Sequence, residues 1–399
     1  MSGMAPVFIH AWSAWSALGH SPQHMRERLF GMQDVSPLTQ TEQYSPGRSL
    51  PLGCLPASLQ LPSLAYAPAH QRSRNNALAW AALHPMREQI GAAVQRWGAM
   101  RVALVVGTST AGVQEGEAAA SQLVQQGRFP QGFDYAVQEM GNVASFLAQQ
   151  LGIQGPAHTI STACSSGAKA LASAARLLNM GMVDAVVAGG VDALCAFTVA
   201  GFSALEAVSA ARCNPLSAHR KGINLGEAAA FFLLTRESAA VRLAGWGETQ
   251  DAHHMSAPDP SGAGAVAAME LALQRAGMTA AAMDYVNLHG TATAHNDAME
   301  SLAVHAVLGS DVPVSSTKPM TGHCLAAAGA LEAAIAMCVL QDNPQGLLPV
   351  HGWDGVRDVA LPALHVVQPG EVSRRKPKAV LSNSFAFGGS NCALVLASE

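Results

Sequence analysis

Cys164 is the residue of this chain whose surroundings best suit nucleophilic chemistry. It stands within residues 162–167, between a short β-branched stretch and an alanine-rich one, so the sequence predicts that its thiol lies on a sharp strand-to-helix turn. Unpaired N–H groups and the positive end of the helix would favour a thiolate there. The alternative is a buried, inert cysteine, which the local sequence leaves open.

Two histidines occupy turns of similar composition. His289 follows the apolar stretch 285–288 and precedes Gly-Thr-Ala-Thr, and the carboxyl end of a strand is where α/β folds place catalytic side chains. His323 comes just before the alanine-rich stretch 326–340. Because a helix dipole disfavours a protonated imidazole at its N-terminus, we expect His323 to be neutral and to donate a hydrogen bond. With 15 histidines in the chain, either one alone could equally be a core or loop residue.

Three further residues could support this chemistry. Lys318 and Glu332 are ionisable groups beside a segment of small apolar residues. Because buried charges need partners, we expect an ion pair or a contact that orients a histidine. Phe387 precedes Gly388-Gly389, whose freedom to adopt unusual backbone angles could turn the Phe387 N–H toward an oxyanion. An ordinary hairpin turn is the alternative for that segment.

The elements that must position these residues alternate between β-branched runs and alanine-rich runs, which is the α/β pattern. Candidate strands cover residues 7–11, 101–106, 158–160, 185–188, 229–234, 241–247, 285–288, 314–315, 379–382 and 392–396. Candidate helices cover residues 165–179, 266–276 and 297–308. Three segments of the first half each resemble a segment of the second half: residues 7–19 resemble 241–249, residues 101–107 resemble 285–290, and residues 184–192 resemble 379–389. We therefore predict two similar halves, residues 1–240 and 241–399.

Composition narrows the function classes. The chain has 399 residues, of which 49% are hydrophobic and 13% charged, so it can bury a large core. Its net charge of -4 gives no reason to expect nucleic acid or an anionic membrane as a partner. Seven scattered cysteines without a CxxC pair predict reduced thiols in the cytoplasm and no metal site. The first basic residue is Arg26, unlike a signal peptide, and Asp192 and Glu206 interrupt the apolar stretch 185–211, so we expect no membrane span.

Four segments together resemble the β-ketoacyl synthase family of the thiolase superfamily, in its elongating branch with a Cys-His-His site. Residues 162–167, 289–293, 318–329 and 383–391 match in order and spacing, and the resemblance extends over essentially the whole chain. It implies an α/β fold, a thiolase-like five-layered αβαβα sandwich built from two similar halves. It implies a decarboxylative Claisen condensation of malonyl-ACP, where ACP is the acyl carrier protein, with an acyl group held on Cys164. No free cofactor is implied, since phosphopantetheine arrives on the carrier protein.

The resemblance also implies partners and roles for individual residues. The partners are the carrier protein and either a second copy of the chain or a chain-length-factor-like ketosynthase subunit. Cys164 carries the acyl group, and His289 and His323 hydrogen-bond the thioester carbonyl of the malonyl unit. The backbone N–H groups of Cys164 and Phe387 form the oxyanion hole, and Phe387 is also the gate of the acyl pocket. The other assignments are support by Lys318 and Glu332, an acyl pocket lined by Thr108, Thr110, Phe385 and Phe387, and carrier docking by Arg72, Arg74, Arg128 and Arg212.

The sequence departs from the family pattern at several positions. Residues 215–222 read Pro-Leu-Ser-Ala-His-Arg-Lys-Gly, where elongating synthases have Phe-Asp before Arg-Asp-Gly. Residues 385–387 read Phe-Ala-Phe in place of Phe-Gly-Phe. Neither change removes a catalytic atom. We interpret them as marks of a specialised synthase from a polyene or polyketide-like pathway, such as aryl-polyene assembly, rather than of housekeeping fatty-acid elongation.

Other classes of protein account for the motifs less well. A thiolase would use a second cysteine near the C-terminus, and Cys392 is available there, but in a strand position. Priming synthases use a Cys-His-Asn set, against which His323 argues. A chain-length-factor subunit is not catalytic and lacks the nucleophile, so Cys164 counts against that class.

Overall fold

Strands and helices alternate along the chain, which the computed structural model describes over residues 6–31 and 36–399. The strands are β1 (Val7–Trp15), β2 (Thr39–Thr41), β3 (Leu50–Leu52), β4 (Val102–Gly107), β5 (Ala157–Ile160), β6 (Ala185–Asp192), β7 (Ala228–Thr235), β8 (Val241–Gln250), β9 (Tyr285–Asn287), β10 (Pro313–Ser315), β11 (His365–Val366), β12 (Ala379–Ala386) and β13 (Ser390–Ser398). The helices are α1 (Pro22–Leu29), α2 (Arg74–Leu83), α3 (Arg87–Trp97), α4 (Val113–Gln126), α5 (Asn142–Leu151), α6 (Ser166–Asn179), α7 (Ala196–Ala204), α8 (Ala263–Ala276), α9 (Ala294–Leu308), α10 (Lys318–Thr321) and α11 (Ala328–Leu340).

Eleven of these strands form one continuous sheet in the order β11-β10-β9-β12-β13-β8-β1-β7-β6-β4-β5. In its middle, β1 and β8 pair only from Val7 with Leu243 to Ile9 with Val241. Outward from this short junction, the order is β1-β7-β6-β4-β5 on one side and β8-β13-β12-β9-β10 on the other. On both sides the first two pairings are antiparallel and the next two are parallel.

The two sides are therefore similar halves, as the recurring segments of the sequence predicted. The recurring segments lie at equivalent places in the sheet, because β1 corresponds to β8, β4 to β9 and β6 to β12. The predicted division between residues 240 and 241 lies in the link from β7 to β8.

Helices α6 and α11 lie between the two halves of the sheet. Helix α6 packs on β4 and β6, α11 packs on β12 and on α6, and every residue of α11 is buried. Helices α6 and α11 approach each other closely, since a Cβ atom at Gly329 of α11 would lie only 2.9 Å from the backbone nitrogen of Ala168 of α6. Helices α2, α3 and α5 cover the outer face of the first half, and α8 and α9 cover that of the second. The predicted five-layered αβαβα sandwich is confirmed.

The apolar stretch 185–211 divides into a buried strand and a short helix. Strand β6 continues to Asp192, four residues beyond the predicted strand, and α7 follows after a short link. Among the described residues, no helix is both long enough and apolar enough to cross a membrane.

His351 is buried near β10, and we expect its protonation to destabilise the fold in acid. Its Nδ1 accepts a hydrogen bond from the Ser316 N–H at 2.9 Å, and its Nε2 lies 2.9 Å from the Pro215 oxygen. Burial lowers the pKa of His351 from 6.5 to about 4. A histidine whose pKa is lower in the folded chain than in the unfolded chain stabilises the fold at any pH above its unfolded-state pKa. This stabilisation is lost as the pH falls through the folded-state pKa.

We therefore expect His351→Gln to flatten the acid side of the stability profile. Between about pH 6.5 and pH 4, this one proton should cost the wild-type chain up to about 1.4 kcal/mol of unfolding free energy per pH unit. Urea denaturation at closely spaced pH values measures the slope for both proteins. Equal slopes would show that His351 is not the source of the acid sensitivity.

Candidate active site

Cys164 lies on the turn between β5 and α6, which agrees with its predicted position. Strand β5 ends at Ile160 and α6 begins at Ser166, and between them Ala163 adopts a left-handed backbone with a φ of 51°. The Ser166 hydroxyl donates to the Ala163 carbonyl at 2.6 Å and closes the turn. A left-handed residue with a side chain is strained, and such strain persists at functional sites that the surrounding structure holds in place.

Both predicted histidines reach the surroundings of the thiol. His323 Nε2 lies 2.9 Å from Cys164 Sγ. The His289 ring stands edge-on to the His323 ring, with 5.4 Å between ring centroids, and Phe385 lies 6.3 Å from His289 on another side. All four side chains are buried and line the same cleft. Segments far apart in the chain thus meet around one sulfur atom.

Burial and a buried ammonium group together set the protonation of the site. Burial raises the pKa of the Cys164 thiol to about 12, and the Lys318 charge and the Phe387 N–H oppose this only in part. Burial, and then the Lys318 charge, hold the pKa values of His289 and His323 well below the ordinary range. At rest, a neutral thiol therefore faces a neutral imidazole. The directions of these pKa shifts disagree with the predicted thiolate and agree with the predicted neutral His323.

The turn after β12 brings a backbone donor to the sulfur. Gly388 and Gly389 have φ values of 78° and 73°, which residues with a side chain rarely adopt. The Phe387 N–H acts on the Cys164 thiol and lowers its pKa. The Phe387 ring is 36% exposed and lies 5.7 Å from the Phe202 ring in the lining of the cleft. One residue thus offers its N–H to the interior and its ring to the outer part of the cleft.

Lys318 and Glu332 form the ion pair that the sequence predicted. Lys318 Nζ lies 2.5 Å from Glu332 Oε1, and the two side chains are 2% and 4% exposed. Lys318 belongs to α10 and Glu332 to the fully buried helix α11, so the pair joins the segment before His323 to the central layer. Its ammonium is the charge that acts on both histidines.

Two buried carboxyl groups on α9 hold the His289 turn, and the sequence analysis did not single them out as site residues. Glu300 accepts the N–H groups of His289 and Gly290, both at 2.7 Å. Asp297 accepts the Ala292 N–H at 3.1 Å, where Ala292 has a left-handed φ of 61°. Burial raises the pKa of Glu300 to about 7. The available signal was the position of two acidic residues on the apolar side of a predicted helix.

Thr108 and Thr110, which the resemblance assigned to the acyl pocket, bind a buried carboxylate instead of lining the cleft. Their hydroxyl groups donate to Asp192 Oδ1 at 2.8 and 2.9 Å. Asp192 Oδ2 also accepts the Ala326 N–H at 2.8 Å, close to His323 in the chain. Neither threonine is among the residues that line the cleft, whereas Phe385 and Phe387 are. For the two threonines, the acyl-pocket role stays a prediction.

The cleft that leads to Cys164 has a volume of about 630 Å³. Exposed residues in its lining include Lys221, His254 and His295, so basic and titratable groups surround its mouth. Within residues 6–31 and 36–399, no group of three or more His, Cys, Asp or Glu side chains is arranged to hold a metal ion.

The four arginines predicted to dock a carrier protein lie outside the cleft lining. Arg72 and Arg128 are exposed, and Arg212 is partly buried. Arg74 is different, because its guanidinium lies 2.7 Å from the carboxylate of Glu227, which is 1% exposed. Since that contact holds the guanidinium against a buried charge, Arg74 is better explained as a structural residue. The docking roles of the other three stay predictions.

A buried thiol beside two imidazoles, on a sheet doubled around two central helices, is the arrangement of the thiolase-fold condensing enzymes. The chain belongs to the β-ketoacyl synthase family. Its residues 68–240 match the family model "Beta-ketoacyl synthase, N-terminal domain", and residues 240–347 match "Beta-ketoacyl synthase, C-terminal domain".

Named relatives and solved structures agree with this assignment. The 3-oxoacyl-[acyl-carrier-protein] synthase 2 of Rhizobium meliloti is 37% identical over 289 residues, which are 64% of this chain and 65% of that relative. Nodulation protein E of the same organism is 33% identical over 80% of this chain and 81% of its own length. A ketosynthase (ApeO) solved with its chain length factor (ApeC) from Xenorhabdus doucetiae gives a TM-score of 0.90 at 40% identity, covering 99% of this chain and 98% of the solved one.

Proposed function

We propose that this chain is a β-ketoacyl-ACP synthase, which joins an acyl group held on Cys164 to a two-carbon unit delivered as malonyl-ACP. One observation carries the proposal: His323 Nε2 lies 2.9 Å from Cys164 Sγ in a cleft that His289 also lines. A thiol, a base in contact with it and a second imidazole are the groups that a condensation through a covalent intermediate requires.

In the first step, the Cys164 sulfur attacks the thioester carbonyl of an acyl-ACP. His323 takes the thiol proton as the new carbon–sulfur bond forms, and the carrier's sulfur leaves with a proton. The carbonyl oxygen becomes negative in the transition state, and the Phe387 N–H, which acts on the thiol at rest, is the donor that we propose stabilises it. Cysteine splits one difficult acyl transfer into two easier ones.

In the second step, malonyl-ACP occupies the cleft and loses carbon dioxide. The electron pair of the broken carbon–carbon bond moves into an enolate, whose oxygen accepts hydrogen bonds from His289 and His323. Neutral imidazoles suffice here, because burial and the Lys318 charge hold both pKa values low. His289 donates through its ring N–H, and His323 donates from the tautomer that carries its hydrogen on Nε2, whereas the first step uses the tautomer in which Nε2 is the acceptor. The enolate carbon then attacks the acyl group, the bond from Cys164 sulfur to the acyl carbon breaks, and the sulfur leaves as a thiolate that takes up one proton from solvent. Donors held in place before the reaction need no rearrangement when the charge develops.

The substrate class that we propose is a specialised polyene or polyketide-like chain. The departures at residues 215–222 and 385–387 support it, as does the 40% identity to a ketosynthase solved with its chain length factor. We accordingly propose a heterodimer with a chain-length-factor-like subunit, with a homodimer as the alternative. Arg72, Arg128 and Arg212 are proposed to contact an acidic carrier protein, whose phosphopantetheine arm brings each substrate. Cytoplasmic localisation remains part of this proposal.

Housekeeping fatty-acid elongation is the second candidate for the pathway. The 37% identity to the synthase 2 of Rhizobium meliloti favours it. Both candidates use the same reaction at Cys164 and differ only in the acyl chain. A chain-length-factor role for this chain is less favoured, because its thiol stands in hydrogen-bonding contact with an imidazole.

Intact-protein mass spectrometry after incubation with a panel of acyl-ACPs tests the reaction and the pathway together. We expect one acyl adduct per chain, formed fastest from conjugated enoyl or aryl carriers, and no adduct on Cys164→Ala. Cys392→Ala is the matched control, since this buried thiol lies outside the cleft and should not change labelling. An adduct that survives Cys164→Ala would reject the nucleophile, and a preference for saturated long-chain carriers would reject the specialised pathway.

A further inference from the structure

A second cavity, here named the rear pocket, shares the segment 216–223 with the active-site cleft. Its volume is about 320 Å³, at the lower end of the range of about 300–1,000 Å³ for small-molecule sites. Leu216 lies in its wall, whereas residues 220–223 line the cleft. Helix α9 and the chain around β11 supply the remaining walls, and no residue lines both cavities. The rear pocket is therefore separate from the Cys164 site but adjacent to it.

The rear pocket is mainly apolar, and one cation in its lining has no ionic partner within residues 6–31 and 36–399. Its apolar lining consists of Leu216, Trp353, Leu361, Pro362, Leu364 and Val366. Arg357 is exposed and forms no ion pair with the residues described by the structure. The other ionisable side chains of the lining already have partners. Asp358 accepts a hydrogen bond from Arg220 at 2.6 Å, and His365 lies 2.7 Å from Glu371. The charge left for a ligand is positive.

One polar group in the wall is buried without a partner. Ser301 on α9 is 1% exposed, and its hydroxyl makes no hydrogen bond to any residue of the described ranges. A serine inside a helix often bonds the carbonyl four residues earlier, and this one does not. Leaving a buried polar atom unpaired costs free energy, so a lone hydroxyl in the wall of a cavity indicates a ligand atom that completes it.

We propose that the rear pocket binds a small organic carboxylate with an aromatic or short aliphatic body, and that its occupancy changes turnover in the cleft. The carboxylate pairs with Arg357, the body lies against Trp353 and the aliphatic wall, and the Ser301 hydroxyl bonds a polar atom of the ligand.

Two hydrogen-bonded links connect the rear pocket to the cleft. Leu216 has a left-handed φ of 62°, and its N–H is held by Asp297 at 2.8 Å. Asp297 also accepts the Ala292 N–H, three residues after His289. In the second link, Asp358 of the rear pocket holds Arg220 of the cleft. A ligand that displaces these segments acts on the cleft wall, and this part of the inference rests on the proposed condensing function.

Binding is tested on the purified full-length chain without any acyl substrate. Phenylpropionate is the probe, and phenylpropionamide is its uncharged control. Fluorine NMR on fluorotryptophan-labelled protein follows the Trp353 signal, which is assigned by its absence from Trp353→Phe. We expect the acid to shift that signal saturably and the amide to bind about tenfold more weakly. Arg357→Gln should remove the preference, and Ser301→Ala should weaken both ligands.

Two results would overturn the binding site: a Trp353 signal that the acid leaves unmoved, or equal binding of acid and amide. Turnover is then measured with and without phenylpropionate in the wild-type chain and in Arg357→Gln. We expect the probe to change turnover about twofold or more in the wild type alone, with equal basal turnover in both proteins. Binding without a change in turnover would overturn the link to the cleft. Absent turnover without probe, in the chain purified together with its chain-length-factor-like subunit, would count against the proposed function, and leave the NMR result standing.

Discussion

The His323→Ala variant should transfer an acyl group onto Cys164 about 10²–10⁴ times more slowly than the wild-type chain. Because the thiol has a pKa of about 12, almost none of it is ionised at neutral pH. Attack therefore requires a base that removes the proton as the bond forms, and His323 Nε2 lies 2.9 Å from the sulfur. The rate of adduct formation, followed by mass spectrometry at timed intervals, measures the effect.

The His289→Ala variant should separate the two halves of the reaction. His289 lines the cleft and contacts the His323 ring, but the structure gives it no hydrogen bond to Cys164. Adduct formation should therefore stay near the wild-type rate, while condensation falls by about 10²–10³, the cost of losing one donor to a developing oxyanion. His254→Ala, an exposed imidazole of the same cleft, is the control. Equal loss of adduct formation in the His289 and His323 variants would contradict this division of roles.

Glu332→Leu should lower the free energy of unfolding by about 3–5 kcal/mol. The change removes one partner of an ion pair whose side chains are 2% and 4% exposed, and leaves the Lys318 ammonium buried and uncompensated. Lys318→Met should lower the free energy of unfolding by a similar amount, because it leaves the Glu332 carboxylate buried without a partner. Chemical denaturation monitored by circular dichroism measures both values.

The double variant Lys318→Met/Glu332→Leu shows whether the lost stability of the single variants comes from a buried charge without a partner or from poorer packing. It should recover most of the loss, because an apolar pair of similar volume can replace a buried ion pair at little cost. The exposed pair Arg96–Glu237 is a matched control, with side chains 59% and 46% exposed, and Glu237→Leu should cost at most about 1 kcal/mol. If the double variant were as unstable as the sum of the single ones, packing rather than charge would explain the effect.

The sequence sufficed to predict ten of the thirteen strands, all but β2, β3 and β11, and the residues around the sulfur, for a common reason. Strands such as β6 and β7 are buried along their whole length, so their sequences are nearly continuous runs of apolar residues. Cys164, His289 and His323 stand where such runs or alanine-rich helices meet glycine-containing turns. Patterns of this kind depend on short stretches of chain, which the sequence shows directly.

What the sequence could not predict depends on three-dimensional environment. The sequence favoured a thiolate at Cys164 because the helix terminus is visible locally, whereas the raised pKa of this thiol follows from burial, which depends on segments far apart in the chain. Glu300 and Asp297 escaped notice because their partners are backbone N–H groups, which no residue type reveals. Helices α1 to α5 and α7 were not predicted, although α3, α4 and α5 have amphipathic sequences that are typical of helices packed on a sheet.

The neutral resting state of the sulfur also decides what else can react with it. Peroxides and alkylating agents consume thiolates far faster than thiols. A thiol with a pKa of about 12 offers them almost nothing between turnovers. We therefore expect the sulfur to react mainly when a thioester lies against it and His323 can take the proton, and oxidation to irreversible sulfinic acid to be slow. Burial thus preserves the nucleophile chemically during the intervals in which the chain waits for its next carrier.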